Sequence, residues 1–118
     1  MSSKFYAVPG IPDQEFIRGP VPMTKEEVRS LTLSKAEIHA DSIIYDIGAG
    51  TGSISVESAL LAFKGMVYAI EKNPEGIKLI TQNCIKFGVS NLIPVEASAP
   101  EALLDLPQAD RIIVGGSG

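Results

Sequence analysis

Three glycines, Gly48, Gly50 and Gly52, fall within five positions directly after an apolar run, in the stretch "YDIGAGTGSIS" (residues 45–55). Glycine lets a backbone bend sharply and approach a ligand without an intruding side chain. A helix starting just after such a bend offers unpaired N–H groups and a partial positive charge. That setting is worth about 0.3–1 kcal/mol to a nearby anion, a carboxylate or a pyrophosphate alike. A second residue with chemical reach, Glu71, stands 19 positions beyond Gly52, at the end of another apolar run, "MVYAIE". A carboxylate there can accept hydrogen bonds from both hydroxyls of a ribose, and it repels a 2′-phosphate. Elsewhere reactive groups are scarce. His39, the one histidine, stands beside Ala40 and Asp41 and reads as an exposed loop residue. Cys84, the one cysteine, falls on the apolar side of a helical stretch and reads as packing. No nucleophile–base pair is evident, so no catalytic residue is assigned, and one histidine with one cysteine leaves no credible zinc cluster.

The spacing bears on which ligand the bend would take. The hydride-carrier fingerprint is G-x-G-x-x-G/A, whose third small residue lets helix and strand pack closely. Gly48 and Gly50 fit it, but its third position is Ser53, and the chain instead reads G-x-G-x-G with Thr51 between Gly50 and Gly52. A dinucleotide cradle, a sulfonium-cofactor cradle and a plain tight turn all remain open on the loop alone. Glu71 weights the choice toward a ligand with a free ribose. Asp46, just ahead of the loop, reads as a residue that orients it.

These residues need a scaffold, and the pattern around them supplies one. "SIIYDI" (42–47), "MVYAIE" (66–71), "LIPVE" (92–96) and "DRIIVGG" (110–116) are short apolar runs that read as strands. Between them lie helical stretches. "SISVESALLAFKG" ends at Gly65 as its stop, and the next opens with Asn73 as N-cap and Pro74 at its first turn. In that second helix Ile77, Ile80, Cys84 and Phe87 share a face, and Gly88 ends it. "PEALLDL" (100–106) reads as a short helix. Pro94 cannot donate to a ladder, so its strand is expected at an edge or interrupted. Strand and helix alternate from residue 42 onward, the rhythm of a parallel, doubly wound α/β sheet. In such sheets ligands settle beyond the carboxyl ends of the strands, where the glycine bend falls. Ahead of the sheet, Thr24 and Glu27 form a capping-box signature for a helix with Val28, Leu31, Leu33 and Ile38 on its buried side. Residues 1–22, with six prolines and glycines from Pro9 to Pro22, read as an extended arm outside the packed body, and 23–118 as the domain.

The composition is that of an ordinary water-soluble domain: 118 residues, 20% charged, 6% aromatic, formal net charge -4 and pI about 4.9. There is no lysine or arginine cluster, so neither nucleic acid nor an anionic membrane is implied as a partner. Apolar runs fall far short of the roughly 20 residues of a membrane span. The N-terminus lacks a basic-then-apolar secretion signal. With a single cysteine, the expected location is the cytoplasm.

The "DIGAGTG" loop with an acid ending the next strand resembles the S-adenosylmethionine (SAM) site of class I methyltransferases. Four longer pieces narrow the resemblance: "GIPDQEFIRGPVPMTKEEVRSLTLSKAEI", "YDIGAGTGSISVESA", "YAIEKNPEGIKLI" and "VGGSG". Together they are similar to the decarboxylating precorrin methyltransferases of cobalamin biosynthesis. Those enzymes methylate carbon 15 of the corrin precursor and remove carbon dioxide from an acetate side chain. The resemblance implies a Rossmann-like fold with SAM as cofactor, a precorrin tetrapyrrole as substrate and a homotetramer. It also implies site residues: Thr24 in contact with the cofactor, Gly48, Ala49, Gly50, Thr51 and Gly52 around its methionine end, Glu71 on its ribose, and the Ala99 backbone near its adenine. Where the family usually carries an aspartate this chain has Ser98, which can bond the adenine amino group without charge. Arg18 and Lys25 are candidate partners for substrate carboxylates, though each also reads as an ordinary solvated charge. A complete sheet of that family has more than four strands, so the chain is expected to hold the SAM-binding N-terminal part, with an exposed edge on its fourth strand. The alternatives are a class I methyltransferase acting on another small molecule, or a non-catalytic SAM- or nucleotide-binding module.

Overall fold

The structure, a computed structural model, describes residues 7–115. The first six residues of the expected arm and the end of the terminal glycine loop, 116–118, lie outside the described residues. Four parallel strands form one sheet: β1 (Ile43–Ile47), β2 (Met66–Glu71), β3 (Leu92–Glu96) and β4 (Arg111–Val114), in the order β3-β2-β1-β4. The register pairs Tyr45 with both Tyr68 and Ile112, and carries Ile47 to Ile70 and Val114. The carboxyl ends of β1, β2 and β4 are therefore level. β3 is an edge, as Pro94 requires, and pairs without interruption, Pro94 standing opposite Ala69.

The strands carry α2 (Ser53–Leu61) after β1, α3 (Pro74–Phe87) after β2, and a 3-10 turn (Glu101–Asp105) where a short helix is expected. α3 is built from its end signals: the Asn73 side chain accepts from the Glu75 N–H, Pro74 takes the first turn, and Gly88 closes it in the left-handed conformation at φ 65°. α2 is buried from Ser53 through Ala59. It lies against the sheet on one side and is covered by α1 (Glu26–Ala36) and the N-terminal segment on the other. It ends at Leu61, ahead of the expected stop at Gly65. Gly65 serves a different need, because a Cβ there would stand 1.9 Å from the Ser42 carbonyl oxygen.

Two expectations for the N-terminal third are corrected. Residues 8–22 are anchored to the body, with Ile11 and Phe16 in the core and a 3-10 turn at Asp13–Glu15. Pro and Gly set the path of this strap, and its two large apolar side chains anchor it. The capping box does not form either. Lys25 is the N-cap of α1 without a side-chain bond, and the Thr24 carbonyl is taken by the Arg29 guanidinium. α1 turns Arg29 and Leu33 inward and leaves Val28 and Leu31 57% and 60% exposed. The reason is Glu57 on α2, which Arg29 must face. Leu31 instead lines a shallow hollow with Ile112 and Val114 of edge strand β4.

Candidate functional site

Beyond the carboxyl end of β1 the chain turns through Gly48 (φ 74°), Gly50 (φ 60°) and Gly52 (φ 88°), backbone angles that L side chains rarely adopt. The Gly48 and Ala49 N–H groups both bond the Ile70 carbonyl at 2.9 and 3.1 Å, which carries the β1–β2 pairing into the loop. The Gly52 N–H closes back on the Ala49 carbonyl at 2.9 Å, and Gly52 caps the start of α2.

Glu71 completes the loop. One carboxylate oxygen accepts the Gly50 N–H at 2.9 Å and the other accepts the Asn73 N–H at 2.9 Å. The side chain is 9% exposed. Each oxygen retains acceptor capacity for a further donor. Gly76 leaves the space this carboxylate occupies, since a Cβ at 76 would stand 2.7 Å from Glu71 Cγ.

Glu71 also lines a cavity of about 360 Å³ beyond the ends of β1, β2 and β3. Ile47, Gly48 and Ile70 form one side of its lining with Glu71, and Lys72, Ala97, Ser98 and Ala99 complete it. The volume lies in the range of small-molecule sites. Apolar walls with a carboxylate and a hydroxyl suit a nucleoside: a flat base between aliphatic surfaces, a sugar at the acid. The residues present therefore fit the nucleoside end of SAM.

The expected site residues divide into two groups. Gly48, Glu71 and Ala99 line this cavity. Gly50 is tied to it through Glu71, and Ala49 through the same Ile70 carbonyl that holds Gly48. Thr51 and Gly52 form the buried floor of the loop. Thr51 is wholly buried, its carbonyl accepts from Asn83 at 3.0 Å, and its hydroxyl has no hydrogen-bond partner among the described residues. A Cβ at Gly52 would stand 2.9 Å from Ile80 Cγ1. Thr24 does not line the cavity. Its neighbour Pro22 approaches the loop instead, its carbonyl oxygen 2.6 Å from where a Gly50 Cβ would be. Arg18 and Lys25 are exposed and stand outside the cavity lining.

Asp46 lies under the loop, buried, and accepts the Ser55 hydroxyl of α2 at 2.5 Å. It thus holds strand and helix together, the orienting role expected of it. Burial pushes its carboxyl up from 3.8 to about 7, Ser55 pulls against that shift, and the Glu71 charge adds to it. His39 is exposed, and Cys84 is half-buried with its thiol pushed up by that burial. Among the described residues no cluster could hold a metal ion, and no helix is long and apolar enough to cross a membrane.

Lys72, Ala97, Ile47 and Ile70 were not expected as cavity walls, whereas Ser98, named for the adenine, does line the cavity. The position of those four at strand ends beside the loop is the signal that would have found them. The sequence reading also missed Arg29 and Asn83, both wholly buried polar side chains that hold the strap to the body.

The sequence profile of the family described as "Precorrin methyltransferase domain" matches residues 16–118. A probable cobalt-precorrin-6B C(15)-methyltransferase (decarboxylating) of Pyrobaculum calidifontis is 49% identical over 116 residues, which cover 96% of this chain and 60% of that protein. The crystal structure of a precorrin-6y C5,15-methyltransferase from Geobacter metallireducens superposes with a TM-score of 0.89 at 46% identity, covering 97% of this chain and 61% of that one. A precorrin 8W decarboxylase from Methanobacterium thermoautotrophicum gives a TM-score of 0.84 at 42% identity over 92% of this chain and 59% of that one. The chain thus spans about three fifths of the length of these relatives.

Proposed function

This chain belongs to the precorrin methyltransferase domain family, and on that premise we propose that it is the SAM-binding part of a methyltransferase acting on a precorrin tetrapyrrole, with coupled decarboxylation, in cobalamin biosynthesis. Its four-stranded parallel sheet is the Rossmann-like fold of class I methyltransferases. The observation that carries the reading is Glu71, whose carboxylate both secures the Gly50 N–H and faces the cavity. In this reading its free lone pairs take the ribose hydroxyls. Ile47, Ile70, Ala97 and Ala99 sandwich the base, Ser98 bonds its amino group, and the loop from Gly48 to Gly52 holds the methionine end. Thr24, outside the cavity lining, would reach the same cofactor from the segment that follows the strap. The working location is the cytoplasm and the assembly a homotetramer.

SAM supplies an electrophilic methyl group on a positively charged sulfur. Transfer from it is an in-line displacement, so the protein's main task is to hold nucleophile, methyl and sulfur in line. The glycine loop and Glu71 would do that by fixing the two ends of the cofactor. No general base is needed for this task.

Calorimetry with SAM, S-adenosylhomocysteine (SAH) and NAD tests the reading. SAM and SAH are expected to bind and NAD not; binding of NAD alone overturns it. Glu71→Ala should weaken SAH by about 1–3 kcal/mol, or about 5- to 150-fold, because buried acceptors for the sugar and for Gly50 are lost together. An unchanged affinity removes the ribose role.

A further inference from the structure

Asn83 stands on α3 with its side chain fully buried, 66 positions from the strap residue it serves. Its Oδ1 accepts the Ile17 N–H at 2.8 Å, and its Nδ2 donates to the Ile17 carbonyl at 3.1 Å and to the Thr51 carbonyl at 3.0 Å. The carboxamide thus pairs with the backbone of Ile17 as a strand would, and spends its other N–H on the glycine loop. The geometry admits only an amide. A carboxylate would set oxygen against two carbonyls, and an aliphatic side chain would leave the buried Thr51 carbonyl and the part-buried Ile17 N–H and carbonyl without this partner.

From Ile17 the strap turns through the Gly19–Val21 bridge and passes over the loop. There the Pro22 carbonyl occupies the space beside Gly50. Arg29 pins the strap on either side, through the Ile11 and Thr24 carbonyls. Gly10 and Asp13 add bonds to Glu57 and Arg29, but among the described residues it is Asn83, at Ile17, that bonds the strap and the loop together.

We infer that Asn83 is a positioning residue for the cofactor loop: its carboxamide joins Thr51 to Ile17, so that strap and glycine loop form one binding unit. The inference rests on the loop being the SAM cradle. It implies reciprocity: a ligand that orders the loop must also order the strap, and loosening the strap must weaken the ligand by the same free energy.

The test uses SAH on the chain and its Asn83→Asp variant, with calorimetry, urea unfolding and backbone amide exchange over residues 14–23. In the wild type, SAH is expected to slow exchange in the strap even where the strap does not line the cavity. Asn83→Asp is expected to raise the SAH Kd at least tenfold and to abolish that slowing. A merely structural asparagine would lower the urea midpoint yet leave the Kd of the folded variant within twofold and the strap still protected by SAH, which overturns the inference. Should the variant not fold, the wild type alone decides: SAH binding without slower strap exchange overturns it. Failure of the wild type to bind SAH at all overturns the reading of the site, and this inference with it.

Discussion

The N-terminal strap is held by a buried charge, and removing that charge should cost a large share of the fold's stability. The Arg29 Nε donates to Glu57 Oε2 at 2.5 Å, with both side chains fully buried. Its Nη1 donates to Asp13 at 3.1 Å and to the Thr24 carbonyl, its Nη2 to the Ile11 carbonyl, and its guanidinium lies 4.8 Å from the centre of the Phe16 ring. Arg29→Ala leaves the Glu57 carboxylate buried with the Gly10 N–H, 2.8 Å away, as its remaining partner among the described residues. Breaking a buried pair from one side costs about 3–5 kcal/mol, against a total of about 5–15 kcal/mol for a domain. At a urea slope of about 2 kcal/mol per molar, the midpoint should fall by about 2 M. The double variant Arg29→Met with Glu57→Leu removes the stranded charge. It should recover part of the loss but not all of it, because the Gly10 N–H and the Ile11 and Thr24 carbonyls stay unpaired. Urea unfolding followed by circular dichroism measures both. A loss under about 1 kcal/mol for Arg29→Ala, or a double variant no better than the single, refutes the assignment of the cost to an uncompensated buried charge.

Two further outcomes follow from the loop. Asp46 keeps a proton in the folded chain up to about pH 7 that the unfolded chain gives up near 3.8. Its stabilising contribution is therefore complete below that lower value and fades as pH rises to about 7, by an amount on the order of 4 kcal/mol. Asp46→Asn, which can still accept from Ser55, should flatten the stability profile across that window and raise the urea midpoint above pH 7; an unchanged slope contradicts it. Gly50→Ala places a methyl 2.6 Å from the Pro22 carbonyl oxygen at φ 60°, whereas Gly88→Ala at φ 65° meets nothing within 4 Å. Both pay the left-handed cost of about 1–2 kcal/mol, but only Gly50→Ala should also lift the strap and weaken SAH at least tenfold, and equal effects on binding would count against the strap's contact with the loop.

Much of this was legible in the residues. β2 and β3 run as read, 66–71 and 92–96, because each is an apolar run between turn signals, and Asn73–Pro74 and Gly88 bound α3 by local backbone chemistry alone. What failed was whatever depended on a distant partner. α1's inward side contains Arg29, a residue type that patterning assigns to water, and it is inward only because Glu57 lies 28 positions ahead. Ile11 and Phe16 vanish among prolines and glycines, a composition that signals irregular path but says nothing of burial. Of the residues named from the motif and its resemblance, Gly48, Glu71 and Ala99 line the cavity. Asn83 was not named, since a lone asparagine on a helix carries no periodic signal, and its partners come from elements 66 and 32 positions away.

The motif itself conceals a division of labour. Three glycines in G-x-G-x-G suggest three places where a ligand comes close, yet two of them yield space to protein: Gly50 to the Pro22 carbonyl and Gly52 to Ile80. Of the three, Gly48 alone lines the cavity. The loop's shape thus depends on the strap, on α3 and on Glu71, and a ligand has to supply only the ordering those neighbours leave undone. It follows that substitutions at 50 and 52 should damage the site by unseating neighbours, and should lower stability and affinity together. Changes at the cavity wall, at Ser98 for example, should move affinity while leaving the urea midpoint where it was.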